Sequence, residues 1–324
     1  MYVNSIDKIK LPIKKELDEF EKKFKDSLKS EVPLLDKIMN YIIQRKGKQM
    51  RPMLVFLCAK AFGNINEKCY RAASLIELLH TATLVHDDIV DEANFRRNMF
   101  SINAIWKNKI AVLVGDFLLS KGLSLAVENE DFELLKIVNA AVQDMSEGEL
   151  LQIEKTRRLD INETTYFNII RKKTAALIAT CCASGGSAAG LSVEKVNNLY
   201  TFGENIGVAF QIKDDLFDYT TNDYIGKPIG IDLKEKKMTL PLIYTLNKVE
   251  AKKKKEIKKM VNNINDKNIS EIIKLVQNEG GVEYAINQMQ IYQKKALGFL
   301  SELPDNECKT ALSSLINYVV NRNK

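Results

Sequence analysis

Histidine is almost missing from this chain of 324 residues, which has two, and tryptophan and proline are nearly as scarce, with one and six. His80 and His86 are too few nitrogens for a histidine-based metal centre. The five cysteines form no CxxC pair, and Cys181 and Cys182 are adjacent, so neither a zinc site nor a disulfide framework is expected. They read as reduced core residues of a cytoplasmic protein. No uninterrupted run of about 18 apolar residues occurs, and MYVNSIDKIKLP lacks the apolar stretch of a signal peptide, so a soluble protein with no transmembrane segment is expected. The net charge is only +6, and the lysines are spread along the chain apart from the run Lys252 to Lys255. Without basic and aromatic interleaving, that run is a solvated helix face and no nucleic-acid partner is expected.

Strand-like alternation is absent as well, and what is present is helical period. Ile6, Ile9, Ile13, Leu17, Phe20, Phe24 and Leu28 recur every three or four residues, describing a first helix bent at Pro12. Further helices are predicted at about 34 to 45, 52 to 62, 67 to 91, 103 to 127, 131 to 155, 164 to 189, 194 to 220 and 238 to 247, with more towards the C-terminus. The breaks KGKQMRP, FGNINEK, NFRRNMFS, RRLDINE, DYIGKPIG, NEGG and ELPDNE carry the Gly, Pro and Asn signals of short loops. No low-complexity linker divides the chain. The expectation is one all-α domain over residues 1–324, about a dozen helices around a central cavity.

Two acidic triplets interrupt these apolar helices. HTATLVHDDIVDEANFRRN carries Asp87, Asp88 and Asp91, and FGENIGVAFQIKDDLFDYT repeats the spacing with Asp214, Asp215 and Asp218. One DDxxD is a weak signal, since a solvated helix end has the same composition. Two copies, each inside an apolar run, are not. Like charges one helical turn apart cost about 0.2–0.5 kcal/mol unless neutralised, so a cation belongs at each. Carboxylate clusters that leave room for water and phosphate oxygens suit Mg²⁺, and the alternating pattern of a calcium loop is lacking. Basic residues stand at the adjoining breaks: Lys48 and Arg51 in KGKQMRP, Arg96 and Arg97 after the first triplet, Lys227 and Lys237 after the second. Each alone is an ordinary surface charge; beside both acidic clusters they form a phosphate clamp.

The ordered blocks GKQMRP, LLHTATLVHDDIVDEANFRRN, VGDFLL, GELLQ, KTAALI, GVAFQIKDDLFD, GKPIGIDL and KMTLPL resemble the trans-isoprenyl diphosphate synthase family, in particular its long-chain polyprenyl branch. The resemblance covers about residues 45 to 245. It implies that Asp87, Asp88, Asp91, Asp214, Asp215 and Asp218 hold about three Mg²⁺ ions on an allylic diphosphate. It further implies that Arg96, Lys173, Lys227 and Lys237 grip that diphosphate, that Lys48, Arg51, His80 and Arg97 bind isopentenyl diphosphate, and that Lys173, Thr174 and Gln211 line the reacting centre. His86 reads as structural. The chain departs from the family pattern where Lys46 and Gln49 replace a glycine and an arginine before Arg51, and where Lys236 replaces the glycine before Lys237.

The implied reaction is ionisation of the allylic C–O bond, attack by isopentenyl diphosphate and loss of a proton, and the resemblance further implies a quinone-side-chain role and a homodimer with transient membrane contact for product release. Small residues, Ala82 and Thr83, stand where short-chain relatives carry an aromatic, so a long-chain product is expected. Leu118, Leu119 and Leu123 are candidates for the floor of its path. Three rivals differ in class. A farnesyl or geranylgeranyl diphosphate synthase differs in product length, a terpene cyclase in its second metal motif, and a non-catalytic subunit of a heteromeric synthase in lacking the aspartate motifs.

Overall fold

The computed structural model describes residues 5–44, 47–96, 99–220 and 230–322. In chain order the helices are α1 (Ser5–Lys10), α2 (Lys14–Ser27), α3 (Pro33–Gln44), α4 (Met50–Phe62), α5 (Glu67–Val90), α6 (Ile102–Glu128), α7 (Phe132–Arg158) and α8 (Glu163–Ile170). There follow α9 (Ala176–Ala188), α10 (Val193–Phe217), α11 (Ile231–Lys234), α12 (Leu240–Lys248), α13 (Ala251–Asn262), α14 (Asp266–Asn278), α15 (Gly281–Phe299) and α16 (Glu307–Asn321). Pro12 breaks the first predicted helix outright, because its ring removes a backbone donor, and a 3₁₀ turn, Leu11–Ile13, separates α1 from α2. The predicted helix 164 to 189 contains a π-helical turn, Arg171–Ala175, between α8 and α9. An extra residue within a helical turn leaves the apolar period readable, so the sequence conceals it. β1 (Phe95–Arg96) and β2 (Met99–Phe100) form a small antiparallel hairpin in the NFRRNMFS break, too short to alternate visibly.

Two compact units are formed, one from Met1–Val142, Thr180–Tyr200 and Leu303–Leu312, the other from Gln143–Ala179, Thr201–Glu302 and Ser313–Lys324. In the first unit α5 packs along α6, and Leu78, Ala82 and Val85 share a cluster with Ala111, Val114 and Leu118. Gly122 lets the helices close up: a Cβ there would meet Leu75 Cδ1 at 3.3 Å. α4 is buried almost all round, from Pro52 to Ala59, as a helix apolar on every face requires. The second unit is centred on Val208, Ile212, Tyr219, Leu240, Leu242 and Ile272, and burying each such side chain contributes about 1.5–3 kcal/mol.

α6 is long and apolar enough to cross a bilayer although Asp116 and Lys121 interrupt its apolar run, and only 33% of its most apolar stretch is buried. Core helices pass the same test, so length and composition alone do not make it a membrane span. Val112, Leu113, Leu123 and Val127 lie on its exposed side.

Candidate active site

The first acidic triplet occupies the last turn of α5. Asp87 and Asp91 are exposed, whereas Asp88 is buried, and Asp91 closes the helix with its N–H on the Asp87 carbonyl at 2.8 Å. Carboxylates at a helix C-terminus face the negative end of its dipole, an unfavourable placement of about 0.3–1 kcal/mol each. A cation relieves it. Behind Asp88 lies a cavity of about 660 Å³ whose polar wall includes Arg51, Glu77, His80 and Asp88 and whose apolar wall includes Phe20, Phe24, Ile42, Ile43 and Leu84.

Arg51, in the first turn of α4, faces Glu77 on α5 with 3.6 Å between Nε and Oε2. Gln49, standing where the family pattern has arginine, adopts φ +56° and donates from Nε2 to Glu21 Oε1 at 2.8 Å, tying the loop to α2. Lys48 is exposed in that loop and does not line the cavity. Arg97 lies outside the described residues, and Arg96 is described only as backbone in β1. His86 packs over α6, its Nε2 3.3 Å from the Val112 carbonyl, at a point where a Cβ on Gly115 would intrude to 2.0 Å.

Ala82 is wholly buried between α5 and α6, and Thr83, half-buried, donates to the His80 carbonyl at 2.9 Å. Neither lines the large cavity. Of the suggested floor residues, Leu118 and Leu119 pack in the same cluster as Ala82, whereas Leu123 is 46% exposed.

In the second unit the π-helical turn carries Lys173 and Thr174, and α10 carries Gln211, Asp214 and Asp215 in its last two turns. Gly207 brings the two together, since its Cα hydrogen faces the Ala175 backbone where a Cβ would lie 2.5 Å from Ala175 Cα. A chain of side-chain bonds results. Thr174 donates to Gln211 Oε1 at 2.8 Å, Gln211 donates to Asp215 Oδ1 at 2.8 Å, and Tyr166 donates to Asp215 Oδ2 at 2.6 Å. Lys173 pairs with Glu149, and Lys237 with Glu235. A cavity of about 100 Å³ is lined by Lys173, Thr174, Gln211, Asp215, Asp232 and Lys237, among others. Five of the predicted site residues therefore share one pocket. Lys227 falls outside the described residues.

Two residues of this pocket escaped the sequence reading. Asp232 lies in GKPIGIDL, in which the resemblance assigns a role to Lys227 alone, and its N–H donates to Asp218 Oδ2 at 2.5 Å. Tyr166 looked like one more aromatic of an apolar helix; its place seven residues, two helical turns, before Lys173 was the available signal. Lys236 has φ +56°, so the missing glycine of the family pattern is a position that needs a left-handed backbone, and the loop keeps that shape without it.

The electrostatics of this half are dominated by buried negative charge. Burial, reinforced by the charge of Asp232, pushes the Asp215 carboxyl up to about 8 against the bonds from Tyr166 and Gln211. Burial and Asp218 push Asp232 up to about 6, and burial also raises Asp218. The folded carboxyl thus keeps a proton that the unfolded chain releases near its ordinary value of 3.8. With the folded value above the unfolded one, this contribution favours the folded state most at low pH and is lost as pH rises towards 8. The metal-free protein is expected to lose melting temperature between about pH 5 and 8, and Asp215→Asn to flatten the slope. Parallel melting curves for the two proteins across that range would contradict the assignment.

The chain matches the family described as Polyprenyl synthetase over residues 32–279. It is 34% identical to an all-trans-nonaprenyl-diphosphate synthase (geranyl-diphosphate specific) of Rhodobacter capsulatus, over 96% of each chain. Among solved structures it resembles a decaprenyl diphosphate synthase from Rhodobacter capsulatus, with TM-score 0.92 and 30% identity over 98% of this chain and 99% of that one. It also resembles a geranylgeranyl pyrophosphate synthase from Bacteroides thetaiotaomicron, with TM-score 0.84 and 38% identity over 99% of this chain and 100% of that one.

Proposed function

Because the chain belongs to the polyprenyl synthetase family, we propose that it is a trans-polyprenyl diphosphate synthase that adds isopentenyl diphosphate repeatedly to an allylic diphosphate and releases a long-chain product. The observation that carries this reading is the double one made above: two acidic helix C-termini, each beside a cavity with a basic wall. A non-catalytic subunit has no use for either, and a terpene cyclase has none for the Arg51 and His80 set.

The donor chemistry fits Mg²⁺. All the carboxylates offer hard oxygen, and in the second unit, beyond the effect of burial, the charge of Asp232 raises Asp215 and that of Asp218 raises Asp232, a concentration of acidic groups that a cation would relieve. Among the described residues no three His, Cys, Asp or Glu side chains are already gathered into a metal-binding group. We assign Asp87, Asp88, Asp91, Asp214 and Asp218 as carboxylates that hold Mg²⁺, with Asp215, both of whose oxygens already accept protein bonds, aligning the last turn of α10. When bound, Mg²⁺ supplies positive charge to the departing diphosphate.

The rest of the mechanism belongs to the chain. Lys173 and Lys237, paired with carboxylates here, exchange them for diphosphate oxygens. Arg51 and His80 hold isopentenyl diphosphate against the polar wall of the large cavity, while Phe20, Phe24 and Leu84 exclude water that would quench the allylic cation. Thr174 and Gln211, held together at 2.8 Å, place uncharged polar groups at the reacting centre. Residues 1–324 act as one synthase domain in this reading, and the five thiols, all buried and none in a disulfide among the described residues, suit a cytoplasmic site.

Product length is the part of the reading that the comparisons divide, since names of long-chain and geranylgeranyl enzymes both occur. The small residue Ala82 favours the long product. Mass spectrometry of products from farnesyl and isopentenyl diphosphates should show more than 20 carbons, and Ala82→Phe should shorten them at a cost of about 1–3 kcal/mol in stability, because its site is fully packed. Unchanged products from Ala82→Phe would mean that the chain runs elsewhere, with the Leu84 face of the large cavity as the next candidate.

We also propose a homodimer. The exposed stripe of α6, with Leu113 at 55% and Val127 at 51%, is the surface that supports it. Leu113→Glu with Leu123→Glu should convert a sedimenting dimer into a monomer; a wild-type monomer that floats with liposomes would instead assign the stripe to membrane contact.

A further inference from the structure

Arg322 follows the last residue of α16 and turns back onto the second acidic triplet. Its Nη2 donates to Asp214 Oδ1 at 2.6 Å and to the Phe210 carbonyl at 3.2 Å, and its Nε donates to the Val319 carbonyl at 3.3 Å. The guanidinium lies 3.9 Å from the centre of the Phe210 ring and 5.5 Å from that of Phe217. Its side chain is only 10% exposed, whereas that of Asp214 is 38% exposed. A shielded, permanently charged group therefore sits on one oxygen of a carboxylate that still opens to solvent.

We propose that Arg322 is a positioning residue that acts through Asp214: in the metal-free protein its guanidinium takes the place of a divalent cation on Oδ1, and it is exchanged for that cation when the site loads. The physical reason is charge. Asp214 lies in the last turn of α10, where the helix dipole disfavours an anion, and Arg322 supplies the neutralisation until an ion does. The aromatic faces of Phe210 and Phe217 hold the guanidinium close by, so the exchange breaks one short bond without unfolding the C-terminus. Metal binding then competes with an internal cation, which keeps the empty site from loading before diphosphate arrives. The inference rests on the reading of Asp214 as a metal-holding carboxylate.

The test is Mn²⁺ binding to substrate-free protein, followed by electron paramagnetic resonance, for wild type, Arg322→Gln, Arg322→Met, Arg322→Lys and Asp214→Asn. Loss of a partly exposed charge pair should tighten Mn²⁺ binding about fivefold in the Gln and Met variants, equivalent to about 1 kcal/mol, and Arg322→Lys should restore the wild-type value. Binding that is unchanged or weaker in both, with circular dichroism and melting temperature as in wild type, overturns the exchange. If Gln fails to fold, Met, which keeps the apolar volume against Phe210, decides. Asp214→Asn separates the two levels of the argument. Weakened Mn²⁺ binding there with no effect at Arg322 defeats the exchange alone, and unchanged binding there defeats the metal reading and the exchange with it.

Discussion

Alanine at Asp87 or at Asp214 should lower turnover at least a hundredfold, equivalent to about 2.7 kcal/mol in the barrier, while the protein stays folded. Both side chains lie in the last turn of a helix, Asp87 on α5 and Asp214 on α10, and neither is part of an apolar cluster. Removing an exposed carboxylate from the negative end of a helix dipole is stabilising by about 0.3–1 kcal/mol. Asp87→Ala should therefore melt at the same temperature as wild type or slightly higher. Asp214→Ala loses the bond to Arg322 and should melt at the same temperature or slightly lower. Loss of activity without loss of stability is the signature of residues kept for chemistry. Steady-state kinetics beside melting curves reads both, and retention of more than about a tenth of wild-type turnover, a loss below 1.4 kcal/mol, would remove either residue from the metal site.

Gly207→Ala should be as damaging for the opposite reason. The added Cβ would stand 2.5 Å from Ala175 Cα and 2.7 Å from its Cβ, and the obstruction is backbone, which cannot rotate away. Relief requires α10 to move off the π-helical turn, at about 1–3 kcal/mol. Moving it separates Thr174 from Gln211, now bonded at 2.8 Å, and with Gln211 goes one of the two donors to Asp215. Stability and turnover should fall together, the reverse of the aspartate variants. Gly298, where a Cβ would meet nothing within 4 Å, supplies the control: Gly298→Ala should be neutral or stabilising by about 1 kcal/mol. Wild-type kinetics in Gly207→Ala would show that the close approach does not set the geometry of the pocket.

The helices were legible in the sequence because their apolar residues keep the helical period, so α3, α4, α5, α6 and α10 begin within two residues of expectation. The helix starts are also marked by polar caps: Asn66 accepts from Cys69 N, and Ser101 from Ala104 N. What the sequence hid is geometry that leaves the period intact. The π-helical turn that carries Lys173 and Thr174 reads as ordinary helix. Tyr166 and Asp232 are marked as site residues by the bond to Asp215 and the shared cavity and not by the sequence, since a tyrosine in an apolar run and an aspartate in the first turn of a short helix each have ordinary explanations. Arg322 lies more than a hundred residues from Asp214, beyond the reach of any helical pattern. The acidic triplets were legible for the converse reason: charge repeated at the same spacing inside apolar helices has no ordinary explanation.

The most direct measurement is incorporation of labelled isopentenyl diphosphate into extractable lipid by the purified protein with an allylic diphosphate, with Mg²⁺ and again with excess EDTA. Successive five-carbon additions with Mg²⁺ and none with EDTA are predicted. No incorporation with any allylic primer from five to twenty carbons, by folded protein with Mg²⁺ present, would contradict the assignment of this chain as a polyprenyl diphosphate synthase.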